Sequence, residues 1–285
     1  MIAAWGRFGL KVPVAFVLSM ISGIILRQFF HKDSDEAFPW QLFMLFPMFV
    51  PLGMPLWLVP FSLLTAWMIA VYSFGGYGKH IFNPVALALV LLLAGYGSSV
   101  SLLPSKPFQG ATSAFSVWTA GINPVNASVN AQLNEPVTNI TQFMVGGNRP
   151  SIPGLAFPGW LLLATLFIGL FFRENRWWLF SAFCSLTVSA MIIKHFFPET
   201  VAGGHSLFFI GCVPAFCMVM LADARGFCGG FVAQTTHAGI FSICVAVFAV
   251  FSGNVLNVAF AVLLAQIISP FILDVTGFGE KIEEP

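Results

Sequence analysis

At 285 residues, the chain is 58% hydrophobic and only 8% charged, with a formal net charge of +1. A soluble domain carries about 25% charged residues, so this composition, with a mean hydropathy of +0.89, excludes an ordinary soluble enzyme. It predicts an all-α integral membrane protein, and a charge near zero gives no electrostatic reason to expect nucleic acid.

A bilayer core takes ~20 apolar residues per helix. On that ruler, nine transmembrane segments are predicted at about 10–30, 38–51, 54–74, 82–97, 157–172, 177–197, 205–222, 236–252 and 256–273. The first is too long for a signal core and ends in Arg27, His31 and Lys32 rather than a small-residue cleavage site, so no cleavable secretory signal is expected. The second is short and punctuated by Pro39, Pro47 and Pro51. It is predicted to be broken or partial, which is tolerable only where protein or a water-filled cavity satisfies its backbone. The fourth starts at Asn83-Pro84, where proline suits a first helical turn. Between the N-terminal helices (1–97) and the C-terminal helices (157–285) lies a long non-hydrophobic loop, 98–156. Loops of that length in compact folds are usually functional or disordered, and Pro104 to Phe115, which opens this one, is not low-complexity.

Lys and Arg near helix ends set orientation. Arg27, Lys32, Lys79, Arg173, Arg176, Arg225 and Lys281 fall on one side; Arg7, Lys11, Lys106, Arg149 and Lys194 fall on the other. The tight turn Arg173-Glu-Asn-Arg176 marks the cytoplasmic face, which puts the long loop outside and the C-terminus inside.

Ionisable residues inside membranes are functional candidates, and few occur here. Lys11, Lys194 and Arg27 sit near helix ends and are expected to snorkel. Asp223 closes the segment that His205 opens; it either pairs with Arg225 or lines a cofactor or ion site. Gln234-Thr-Thr236 before His237 is a polar run that serves either a ligand or another helix. His31, His80 and His195 are expected at solvated interfaces. Cys184, Cys212, Cys217, Cys228 and Cys244 form no CxxC pair and read as helix-packing residues. Gly75-Gly76 and Gly229-Gly230 read as sites of close helix approach. No nucleotide fingerprint, Ser-His-Asp arrangement or helical HExxH is present.

Four stretches carry a resemblance. Gly75-Gly-Tyr-Gly-Lys-His-Ile-Phe-Asn-Pro84 is a glycine-rich turn opening a membrane helix; Phe108-Gln-Gly-Ala-Thr112 ends in Ala-Thr. Phe197-Pro-Glu-Thr200 leads through His205 to Leu221-Ala-Asp223, and Phe260-Ala-Val-Leu-Leu-Ala-Gln266 runs on to Pro270 and Asp274. In this order they resemble the membrane D-type component of Rnf-type ion-translocating electron-transport complexes, a family related to the B-type component of the sodium-translocating NADH:quinone reductase. The resemblance implies about ten helices, one of them missing here at the N-terminus, in a bacterial or archaeal cytoplasmic membrane. It also implies FMN joined through a phosphoester to Thr112 by a flavin transferase, in a setting of Gly110, Ala111 and Ser113, with Asp223 as a further cofactor-binding residue and a second, noncovalent flavin. The chain would then pass electrons to or from other membrane and peripheral redox subunits, coupled to Na+ or H+ movement, with no catalytic or metal-binding residue of its own. Lys106 stands where the family signature is acidic, Gln109 where Ser or Thr is usual, and Ser113 where Pro commonly follows. Two other functions remain open on the residues: a flavin-free structural or ion-conducting scaffold subunit, and a secondary transporter with its site at segment 38–51.

Overall fold

A computed structural model describes residues 11–30, 38–50, 54–76, 80–100, 176–196, 231–252 and 257–275. All regular elements among them are helical: α1 Lys11–Phe30, α2 Trp40–Phe49, α3 Leu58–Ala70 with a 3-10 turn at Tyr72–Phe74, α4 Pro84–Val100, α5 Arg176–Phe196, α6 Phe231–Ser252 and α7 Asn257–Val275. These match seven of the nine predicted segments; the two others, 157–172 and 205–222, lie outside the described residues, as does the loop beyond Val100. Two boundaries differ. α4 continues to Val100, past the expected end at 97, and α6 begins at Phe231 rather than near 236, which draws Gln234, Thr235 and Thr236 into the helix.

Helix length and charge placement follow the demands of a hydrocarbon solvent. α1 and α6 each contain an 18-residue stretch, Val12–Phe29 and Phe231–Phe248, long and apolar enough to cross a bilayer. α2 has 10 residues, about 15 Å of helix against a core of ~30 Å, so it is shorter than a full crossing, in line with its prolines. The charged residues of the described segments, Lys11, Arg27, Arg176, Lys194 and Asp274, all lie in or beside terminal turns. Large apolar side chains such as Ile24, Phe29, Phe180, Met191 and Phe271 point outward, faces that water would not favour.

The helices pack in sequence: α5 on α6, α6 on α7, α7 on α4, α4 on α2 and α3, and both α2 and α3 on α1. Many buried positions on α4 and α7 are small or branched: Ala86, Ala88 and Leu89 on one, Ala259, Ala261, Val262 and Ala265 on the other. Small residues let two backbones approach when lipid supplies no hydrophobic drive between helices. At the α1–α2 seam the same logic runs to its limit. A Cβ on Gly23 would lie 3.1 Å from Cγ of Phe43 and 3.2 Å from Cζ3 of Trp40. Phe43 in turn stacks on Phe38 at 5.3 Å and leans against Trp67 at 5.3 Å. Arg27 is exposed, as its place near a helix end predicts, and its guanidinium sits 5.8 Å over the Trp40 ring, within cation–π range.

Gly75 and Gly76 serve a purpose other than helix approach. They take φ of +92° and +111°, and their amides donate to the carbonyls of Tyr72 (3.2 Å) and Val71 (3.0 Å). This left-handed closure satisfies carbonyls that a helix end leaves open, and no side-chain-bearing residue adopts it freely.

Gly23→Leu forces a branched side chain into the Phe43–Trp40 contact, and overpacking of this kind costs about 1–3 kcal/mol. We expect the purified chain in detergent to melt several degrees lower than wild type; an unchanged midpoint would mean that the seam opens without cost.

Candidate functional site

Thr112, with Gly110, Ala111, Ser113 and Lys106 around it, lies outside the described residues, and so do Asp223 and His205. Among the described residues, buried polar groups gather at two junctions, each joining helices distant in sequence.

The first lies at the start of α4. Asn83 is fully buried, and its Oδ1 accepts from the amides of Val85 (2.9 Å) and Ala86 (3.1 Å). It is a side-chain N-cap over a helix that opens with proline, the residue whose missing N–H is harmless there. The Asn83 amide donates to Oε1 of Gln266 on α7, 2.9 Å away. Gln266 is only 4% exposed, and its Nε2, with two N–H donors, has no acceptor among the described residues. One turn further along α7, Pro270 withholds the amide hydrogen that would close on the Gln266 carbonyl. Two interruptions of the helical ladder therefore meet here, with a donor to spare. His80 lies just before them and is 7% exposed, a correction to its expected solvated place: the turn that leads into α4 folds inward with the cap. Chemically, the α4 amides are already taken by Gln266 and Asn83, and what the junction leaves over is the Gln266 carboxamide N–H pair, suited to an acceptor atom of a ligand.

The second junction settles the role of the polar run on α6. Gln234 Oε1 accepts from the Trp178 amide at 3.0 Å, one of the first-turn amides of α5 that has no intrahelical acceptor. The Trp178 indole N–H donates to Nδ1 of His237 at 2.8 Å, which places the proton of a neutral imidazole on Nε2. Thr235 and Ser181 share a hydroxyl–hydroxyl bond of 3.2 Å. Of the two uses open to Gln234-Thr-Thr236, the described contacts are to another helix. His195 is exposed as expected, Cys184 is exposed and Cys244 buried, and no group of metal-ligating side chains occurs among the described residues. The sequence flagged Asn83-Pro84 and the 234–237 run, but not their partners: Gln266 stood out only within the last family stretch, and nothing marked Trp178.

The model of the NQR2, RnfD, RnfE family matches residues 1–277. The chain belongs to this family. The NQR2, RnfD, RnfE family is membrane-associated, in keeping with the apolar helices above. Three curated relatives share one name, the D-type component of an ion-translocating oxidoreductase complex. The chain is 27% identical to that of Actinobacillus pleuropneumoniae serotype 5b, over 59% of this chain and 44% of that one. It is 31% identical to that of serotype 7, over 46% of this chain and 38% of that one. The protein of Aliivibrio salmonicida is 25% identical over 93% of this chain and 85% of its own length. The chain thus spans less than half the length of the two Actinobacillus relatives.

His237→Leu leaves the buried Trp178 indole N–H without its acceptor, a loss of about 1–3 kcal/mol. We expect a lower melting midpoint in detergent, with a smaller penalty in a Trp178→Phe background where there is no donor to orphan. Equal penalties in the two backgrounds would show that the hydrogen bond contributes nothing.

Proposed function

We propose that this chain is the membrane-embedded D-type component of an ion-translocating oxidoreductase complex. The observation that carries the reading is the family match from residue 1 to 277, together with relatives whose names are those of such components. The four motif stretches, in one order along the chain, supply the finer content. In this reading the nine apolar segments cross a bacterial or archaeal cytoplasmic membrane, the 98–156 loop faces outward and the C-terminus inward. The partners are the other membrane and peripheral redox subunits, and a flavin transferase acts on the loop.

Within that frame Thr112 is the attachment point for FMN, which supplies the electron chemistry while the chain fixes its place. The Thr112 hydroxyl would give the transferase its nucleophile, with the small residues Gly110, Ala111 and Ser113 beside it in sequence. Asp223 is assigned to the cofactor environment. For a second, noncovalent flavin the α4–α7 junction is our candidate seat, supported by the buried Gln266 amide, a donor lacking an acceptor among the described residues, since ring carbonyls and nitrogens of a flavin are acceptors. Gln266 and the capped end of α4 would hold and orient it.

Lys106 favours a second reading, in which the chain is a flavin-free scaffold that keeps the helices and the complex contacts. A cation stands where the attachment signature is acidic, a reversal of the charge presented to the transferase.

Intact mass of the chain from its native host separates the two readings. We expect an excess of one FMN less a water, localised to the peptide that holds Thr112, and in-gel fluorescence that survives denaturation and vanishes in Thr112→Ala. A wild-type chain with no covalent flavin defeats the attachment and leaves the scaffold. For the second site, Gln266→Leu is expected to lower the flavin released on denaturing the purified complex while the covalent signal stays. Undiminished release would clear Gln266 of any part in holding it.

A further inference from the structure

α2 carries a gap in its hydrogen-bond ladder that its own helix cannot repair. Pro47 lies inside it, and proline both lacks the amide hydrogen that would reach the carbonyl four residues back and crowds that carbonyl with its ring. The carbonyl concerned belongs to Phe43. It is met from another helix: the Ser19 hydroxyl on α1 donates to the Phe43 oxygen at 2.6 Å, and Ser19 is fully buried. The remaining buried serines among the described residues turn back on their own helices. Ser22 donates to Leu18, Ser62 to Val59, Ser242 to Ala238 and Ser269 to Ala265. Ser19 alone of this set reaches across, and it reaches the one carbonyl in α2 that Pro47 deprives. Gly23, one turn along the same face, is what allows the approach, since a Cβ there would meet the Phe43 ring.

We infer that Ser19 is a splint for the interrupted helix: its hydroxyl hydrogen stands in for the amide hydrogen missing at Pro47, and α1 thereby fixes how the short helix α2 sits against it. The inference does not depend on the flavin reading or on the choice of redox partners. It implies that the value of the Ser19 hydroxyl depends on which residue occupies position 47.

Four full-length chains test it: wild type, S19A, P47A and S19A/P47A, purified in the same detergent and melted side by side. With Pro47 in place, S19A is expected to lower the midpoint by a few degrees. In the P47A background, where the new amide can close on the Phe43 carbonyl, the same substitution should cost less than half as much. An equal shift in both backgrounds, or no shift with Pro47 present, overturns the splint. Where P47A does not yield folded protein, S19T and S19A decide on the Pro47 chain. Retention of the midpoint by threonine alone supports the hydroxyl, whereas a matching loss in both variants, or in neither, overturns it.

Discussion

A peptide N–H or C=O inside hydrocarbon has no water to turn to, and each one left bare costs several kcal/mol. An unbroken helix meets that demand by itself. This chain, with its 18 prolines and 26 glycines, breaks its helices repeatedly, and the described structure is largely a record of how the breaks are made good. Asn83 caps α4 with its own side chain, and Gln266 of α7 takes the Asn83 amide. Gln234 of α6 takes a first-turn amide of α5. Ser19 of α1 serves the Phe43 carbonyl, and two left-handed glycines close the end of the 3-10 turn after α3. Except at the glycines, the missing partner comes from a side chain.

That pattern accounts for what a linear reading reaches and what escapes it. Helix existence and approximate length are written in apolar runs, because in lipid any such run of sufficient length must be helical. The weakness of α2 was legible too, since its prolines are local facts. The start of α6 was not. Gln234, Thr235 and Thr236 look like a boundary when polarity is taken as a sign of solvent, yet here they lie within the helix, and Gln234 and Thr235 spend polar atoms on α5. His80 misled in the same way: a histidine at an interface reads as solvated, yet it is buried just before the Asn83 cap. Gln266 and Trp178 carry no local mark at all. Their roles come from partners 183, 56 and 59 positions away, which a single sequence does not encode as a pattern.

At the α5–α6 junction both the amide and the indole N–H of Trp178 find acceptors on the facing helix, and an arrangement of this sort stiffens a helix pair. At the α4–α7 junction the buried Gln266 amide keeps donors with no acceptor among the described residues. Natural structures seldom leave such a group bare without a reason, and a ligand, ion or water is the usual one. The packing of α4 on α7 brings the capped start of one within reach of the Gln266 side chain of the other. A carboxamide at this point donates and accepts without charge, which suits a neutral ring better than a metal ion.

The attachment loop and the helical core answer different questions, and they need not stand or fall together. On the proposed reading, covalent capture at Thr112 depends on what a transferase recognises in the sequence around it, where Lys106 reverses one charge of the signature. A ring seated at Gln266 would depend instead on a buried donor held by packed helices. Loss of Gln266 would cost α4 the acceptor for the Asn83 amide, so the core position is bound twice, once by the fold and once by the ligand it is proposed to hold. On that proposal the tether is easier to lose than the seat, because Gln266 also serves the Asn83 amide.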